Sequence, residues 1–171
     1  MTDAELTRAL ERGEIANEKF HHLSHLHVAW VYLAESSCVD EAAAKMRSTL
    51  RKFAAAAGHS EKYHETITLF WIQLLGRFRA ANIKRRLEDI VHAHPQLLEK
   101  DFPLEYYSRE TLFSNQARTS WIEPDLKPLP TDATPLYSPG PTRNPPYRVI
   151  HRGAARAAAD SGRSAHPGAS C

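Results

Sequence analysis

The chain has 171 residues, a length that can bury a core without disulfide or metal staples, and 22 Lys and Arg nearly balance 20 Asp and Glu. Residues 131–171 hold five arginines, two aspartates and no lysine, a net +3 of the overall +2, so residues 1–130 carry −1. That balance weighs against a domain built to grip nucleic acid. The lack of any run of about eighteen apolar residues predicts no transmembrane helix.

The start of the chain, Met1-Thr2-Asp3-Ala4-Glu5, is acidic and has no apolar signal region, so a cytoplasmic protein is expected. Thr2-x-x-Glu5 is a capping-box pattern that opens a short first helix ending by Gly13. Asn17 is placed to cap a second helix running to about Glu35. Asp40 is placed to cap a third, Glu41 to Ala57, stopped by Gly58. A fourth begins near Glu61 and continues to about Ala81. A fifth covers Lys84 to His92 ahead of Pro95, and Ser108 caps a sixth through about Arg118. No alternating strand pattern of any length interrupts them. The reading is all-α: a single-domain helical bundle over residues 1–130, with about three long and three short helices.

Nine of the eleven prolines lie at or beyond Pro124. The stretch Pro139-Gly140-Pro141-Thr142-Arg143-Asn144-Pro145-Pro146 cannot sustain a helix or a central strand. Ala, Arg, Gly and Ser dominate the residues beyond it, with few large apolar groups to offset ordering entropy. Residues 131–171 are therefore expected to be a disordered tail, with a transient helix around Ala154 to Ala159. The two cysteines, Cys38 and Cys171, form no CxxC pair, and the expectation is reduced thiols rather than a disulfide framework.

Four of the ten histidines, His21, His22, His25 and His27, fall within seven positions of the second helix. On a wheel of about 100° per residue, His22, His25, Leu26, Ala29 and Leu33 share a face. His21, one turn before His25, flanks that stripe with Tyr32, whereas His27 lies almost opposite, on the surface. His22 with His25, or His21 with His25, brings two imidazoles close enough to share an ion. In the fourth helix His64 falls on the apolar face with Ile67, Thr68, Trp71, Leu75 and Phe78. Glu65 stands beside it, able to ligate, accept a proton or orient an imidazole.

His22, His25 and His64 thus make a candidate three-nitrogen site for a divalent metal, zinc or iron, with Glu65 as base or fourth ligand. Set against this are histidines hydrogen-bonded in a core, and a metal-free pocket in which His64 and Glu65 form a catalytic acid/base pair. Tyr63 and Tyr32 are possible donors into the pocket. Arg47 and Arg51, one turn apart, are placed either to bind an anionic substrate or to lie in solvent. Tyr106, Tyr107, Phe113 and Trp121 are assigned to packing the last helix and its extension. The run Lys84-Arg85-Arg86 is assigned to the exposed face of the fifth helix.

Three segments, Phe20-His21-His22-Leu23-Ser24-His25-Leu26, Ala29-Trp30-Val31-Tyr32-Leu33 and Tyr63-His64-Glu65-Thr66-Ile67-Thr68, resemble a family of small, largely uncharacterised all-helical bacterial proteins. The likeness continues through Tyr106-Tyr107-Ser108 and Ser114-Asn115-Gln116-Ala117-Arg118. It implies that His22, His25, His64 and Glu65 belong together, and it names no reaction. The expected function is a small metal-dependent enzyme acting on a small-molecule substrate, by hydrolase, lyase or non-haem oxygenase chemistry, with no nucleic-acid or membrane partner. Two other classes stay open: a non-catalytic metal-binding or accessory protein, and a metal-free His/Glu acid-base enzyme.

Overall fold

In the computed structural model, which describes residues 1–81 and 85–130, seven α-helices and four short 3-10 turns succeed one another. No strand occurs among the described residues. The helices are α1 (Asp3–Glu11), α2 (His22–Glu35), α3 (Val39–Ala56), α4 (Glu65–Ala81), α5 (Leu87–Ala93), α6 (Arg109–Leu112) and α7 (Asn115–Thr119). The expected tail, 131–171, with its transient helix, and the expected helix start at Lys84 lie outside the described residues. None of the described helices is long and apolar enough to cross a membrane.

Local chemistry sets most boundaries. Thr2 and Glu5 form the anticipated capping box on α1, with the Thr2 N–H donating to Glu5 Oε2 at 2.7 Å and the Glu5 N–H to Thr2 Oγ1 at 3.2 Å. Gly58, at φ +70°, takes the left-handed turn beyond the end of α3. Elsewhere the boundaries differ from expectation. Asn17 opens a 3-10 turn, Asn17–Lys19, and α2 starts only at His22. Asp40 sits in the first turn of α3 rather than capping it. Glu61 belongs to the turn Ser60–Lys62, so α4 begins at Glu65. The single last helix is two, because the Ser114 hydroxyl accepts the Ala117 N–H at 3.1 Å and caps a fresh helix where the first was to continue.

α4 is the axis of the core. Leu69, Phe70, Trp71, Ile72, Leu74 and Leu75 are all buried, and α2 and α3 pack along it. A helix buried this far round reads as apolar on most faces rather than along one stripe. α2 is similar, with Leu26 and Val28 to Leu33 buried. α3 is one-sided, burying Ala42, Ala43, Met46, Thr49 and Leu50. Gly76 lets α4 come close to the start of α3: a Cβ there would stand 2.8 Å from Val39 Cγ2 and 3.4 Å from Leu33 Cδ2.

The segment after α5 wraps the other side of α4. Phe70 is ringed by Phe102, Tyr106 and Tyr107 at centroid distances of 6.3, 5.2 and 6.1 Å. Thr66 ties this wrap down, donating to the Ser120 carbonyl at 2.7 Å and accepting from the Ile122 N–H at 3.2 Å. Tyr106, Tyr107 and Trp121 pack as expected, but Phe113 is 48% exposed, its ring facing the Arg109 guanidinium at 5.2 Å. The reduced-thiol expectation concerns Cys38 and Cys171, and Cys171 lies outside the described residues.

Candidate functional site

A cleft of about 350 Å³ opens between α2, α3 and α4 and the turns that precede α2 and α4. Its walls are mostly apolar: Phe20, Met46, Leu50, Phe53, Ile67 and Trp71. Polar groups enter at few points, from Asn17, His25, Tyr63, His64 and Thr68, with His59 and Lys62 on the turn between α3 and α4. The helical wheel places His25 on the inner face of α2, and the fold delivers it into this wall.

His25 differs from the other predicted ligands in being uncommitted. Its ring packs against Phe20 at a centroid distance of 4.3 Å, and its ring nitrogens have no hydrogen-bond partner among the described residues. Burial pushes its pKa down to about 4, with the neighbouring His22 a smaller contribution in the same direction. At neutral pH it is therefore an uncharged imidazole with a lone pair and an N–H to offer.

His64 is held by the backbone on both sides. Its Nδ1 accepts the Ile67 N–H at 3.3 Å, capping α4 together with its own carbonyl, which accepts the Thr68 N–H at 3.0 Å. Its Nε2 donates to the Leu112 carbonyl at 2.9 Å. These partners specify the Nε2–H tautomer and leave neither nitrogen free. Burial also lowers its pKa. His22 points elsewhere, its Nε2 donating to the Leu97 carbonyl at 2.9 Å and its ring against Trp71 at 4.7 Å.

Glu65 is 4% exposed and fully engaged. Arg47 Nε reaches Oε1 at 2.5 Å, Arg51 Nη2 reaches Oε2 at 3.0 Å, and the Tyr63 hydroxyl donates to Oε2 at 2.6 Å. The Arg51 guanidinium also stacks 4.9 Å from the Tyr63 ring centroid. Burial and the bond to Glu65 push the Tyr63 pKa up to about 12. The anion that Arg47 and Arg51 bind is thus supplied by the chain itself. Tyr32, 1% exposed, turns away from the cleft, donating to Glu11 Oε1 at 2.9 Å and sharing a hydrogen bond with Thr49 Oγ1 at 2.7 Å. His21 is exposed and opens α2, its N–H directed to Ser24 Oγ at 3.4 Å.

The structure therefore brings His25, His64 and Tyr63 to one cleft, puts Glu65 behind it in an ionic network, and leaves His21, His22 and Tyr32 out of the lining. The ligand atoms of His22, His25 and His64 do not form a set lying within 4.8 Å of one another. The apolar stripe Ala43, Met46, Leu50, Phe53 and Ala57 is legible in the sequence as the face by which α3 returns the chain between α2 and α4, and the fold makes its Met46, Leu50 and Phe53 a cleft wall as well. Sequence reading missed His59 and Lys62, which carry no periodic signal because they sit in or beside a 3-10 turn.

Compared with known proteins, the chain matches no family model, and no curated protein or solved structure is significantly similar to it.

Proposed function

We propose that this chain binds a small, largely apolar organic molecule in the cleft between α2, α3 and α4, with the neutral imidazole of His25 hydrogen-bonding one polar group of that molecule. The observation that carries this reading is His25 itself: an imidazole in an apolar wall whose ring nitrogens have no protein partner among the described residues. Buried polar groups are ordinarily satisfied, so an unengaged imidazole facing open volume suits a ligand's hydroxyl, amide or carbonyl. The cleft volume of about 350 Å³ lies at the small end of ligand pockets.

Binding is favoured over proton-transfer catalysis because the pKa of His25, near 4, makes it a weak base at neutral pH. A divalent ion shared by His22, His25 and His64 is less well supported. It requires His64 to give up either its cap on α4 or its bond to Leu112, and the ligand atoms of the three rings are not gathered within 4.8 Å of one another. An acid/base pair of His64 and Glu65 meets the same objection, since Glu65 is already neutralised by two guanidiniums.

The test is an NMR screen of small alcohols, amides and phenols against the full chain, ligand-observed to find hits and protein-observed to locate them. Hits should perturb the Trp71 indole signal and should be lost in Leu50→Trp, which fills the cleft; hydroxyl-bearing hits should weaken in His25→Phe. Hits that bind Leu50→Trp as tightly as the wild type, or that leave Trp71 untouched, would overturn the proposal.

A further inference from the structure

Away from the cleft, three helices bring together side chains of the kinds that ligate metals. A ring nitrogen of His27, a carboxylate oxygen of Asp3 and a carboxylate oxygen of Glu88 all lie within 4.8 Å of one another. Asp3 stands in the first turn of α1, His27 in the middle of α2 and Glu88 in the first turn of α5. The helical wheel puts His27 on the surface, yet only 18% of its side chain is exposed. The docking of α1 and α5 against α2 covers it.

Two features of His27 point to a ligand. Its Nδ1 is buried and has no hydrogen bond, an uncommon state for an imidazole nitrogen. Asp3 Oδ1 stands only 2.9 Å away, close enough for an ion pair but out of line for hydrogen bonding. The imidazole nitrogen therefore keeps its capacity for an ion. Two donors each about 2.1 Å from a tetrahedral ion stand roughly 3.4 Å apart, so a bound ion would widen the 2.9 Å gap between His27 Nδ1 and Asp3 Oδ1 by about half an ångström. Charge agrees, because two carboxylates and a neutral imidazole balance a doubly charged cation. The competing contact is modest: Arg86 Nη2 lies 3.2 Å from Glu88 Oε1, and the Arg86 side chain is 78% exposed.

We infer that Asp3, His27 and Glu88 form a binding site for a divalent transition-metal ion of the zinc class, clamping α1 and α5 onto α2. The imidazole selects against magnesium and calcium, which prefer all-oxygen surroundings. Three protein ligands leave a position for water, and exposed Glu88 keeps the site open to solvent. This site shares no residue with the cleft and does not depend on what the cleft binds.

The test is calorimetric titration of the full, untagged chain, stripped of metal by a chelator, with zinc chloride and separately with magnesium chloride. Saturable zinc binding at one ion per chain is expected, with no magnesium heat. Glu88→Gln should weaken zinc by roughly tenfold or more. His27→Ala should abolish the site, and His25→Ala should leave it unchanged. Because Glu88 is exposed, Glu88→Gln decides the matter even if His27→Ala fails to fold. Absence of zinc binding, wild-type affinity in Glu88→Gln, or loss in His25→Ala with retention in His27→Ala would overturn the inference.

Discussion

His64 Nε2 lies 2.9 Å from the carbonyl oxygen of Leu112, 48 residues further along the chain, and this bond fastens the start of α4 to the end of α6. The same ring caps α4 through Nδ1. An imidazole bound this way acts as a structural joint, uniting a helix cap with a long-range tether.

That joint predicts a loss of stability separable from any metal chemistry. His64→Ala removes a cap and leaves the Leu112 carbonyl without its side-chain donor, which should cost about 2 kcal/mol. Urea denaturation should show the lower midpoint, while zinc titration of the same variant should match the wild type. A parallel fall in zinc affinity would return His64 to the role of ligand.

His25 makes stability depend on pH. Its folded pKa near 4 is below the ordinary value of 6.5, so between those values the unfolded chain binds the proton and the folded chain does not. Stability is therefore fully present above about pH 6.5 and falls as the pH drops toward 4, by an amount on the order of 3 kcal/mol. The lowered pKa of His64 acts in the same sense. In His25→Gln the decline between pH 7 and pH 5 should be visibly shallower in denaturant midpoints. Equal slopes in the two proteins would show that His25 is not the titrating group.

Glu65 anchors α3 to α4 by accepting from Arg47, Arg51 and Tyr63. Arg47 and Arg51 are 38% and 56% exposed at the side chain, so water screens the pairs and their worth is well below that of a fully buried triad. Glu65→Leu should destabilise by about 2 kcal/mol, chiefly through the Tyr63 hydroxyl and the guanidiniums left without their acceptor. A double-mutant cycle with Arg47→Met measures the coupling, expected near 1 kcal/mol; a coupling indistinguishable from zero would mean that the pair only fills space.

Gly76→Ala sets helix propensity against packing. Alanine is better in a helix by about 1 kcal/mol, but its Cβ would sit 2.8 Å from Val39 Cγ2, on a β-branched side chain with little room to rotate away. The clash should win, with a net loss of about 1 kcal/mol. Adding Val39→Ala should recover most of it, as thermal unfolding of both variants would report. A stabilised Gly76→Ala single variant would mean that α3 yields easily at its start.

The bundle was legible in the sequence because helix signals are local. Thr2 with Glu5, Gly58 and the apolar periodicity of α2 to α4 act within one or two turns, and they are enough to specify an all-α architecture. Placing His25 and His64 inward was legible for the same reason, since a helical wheel needs only spacing. What each inward group meets is a different matter. Leu112, Leu97 and Arg47 lie 48, 75 and 18 residues from their partners His64, His22 and Glu65, distances over which no periodicity speaks. Tertiary packing alone decided that His64 would cap and tether, that Glu65 would be neutralised, and that His25 would be left free in the cleft. It also reversed the reading of His27, because the wheel locates a face on one helix and cannot know that α1 and α5 will cover it. Spacing determines which way a side chain points, and only the neighbours brought by the fold determine whether its hydrogen bonds and charge are already satisfied when it arrives.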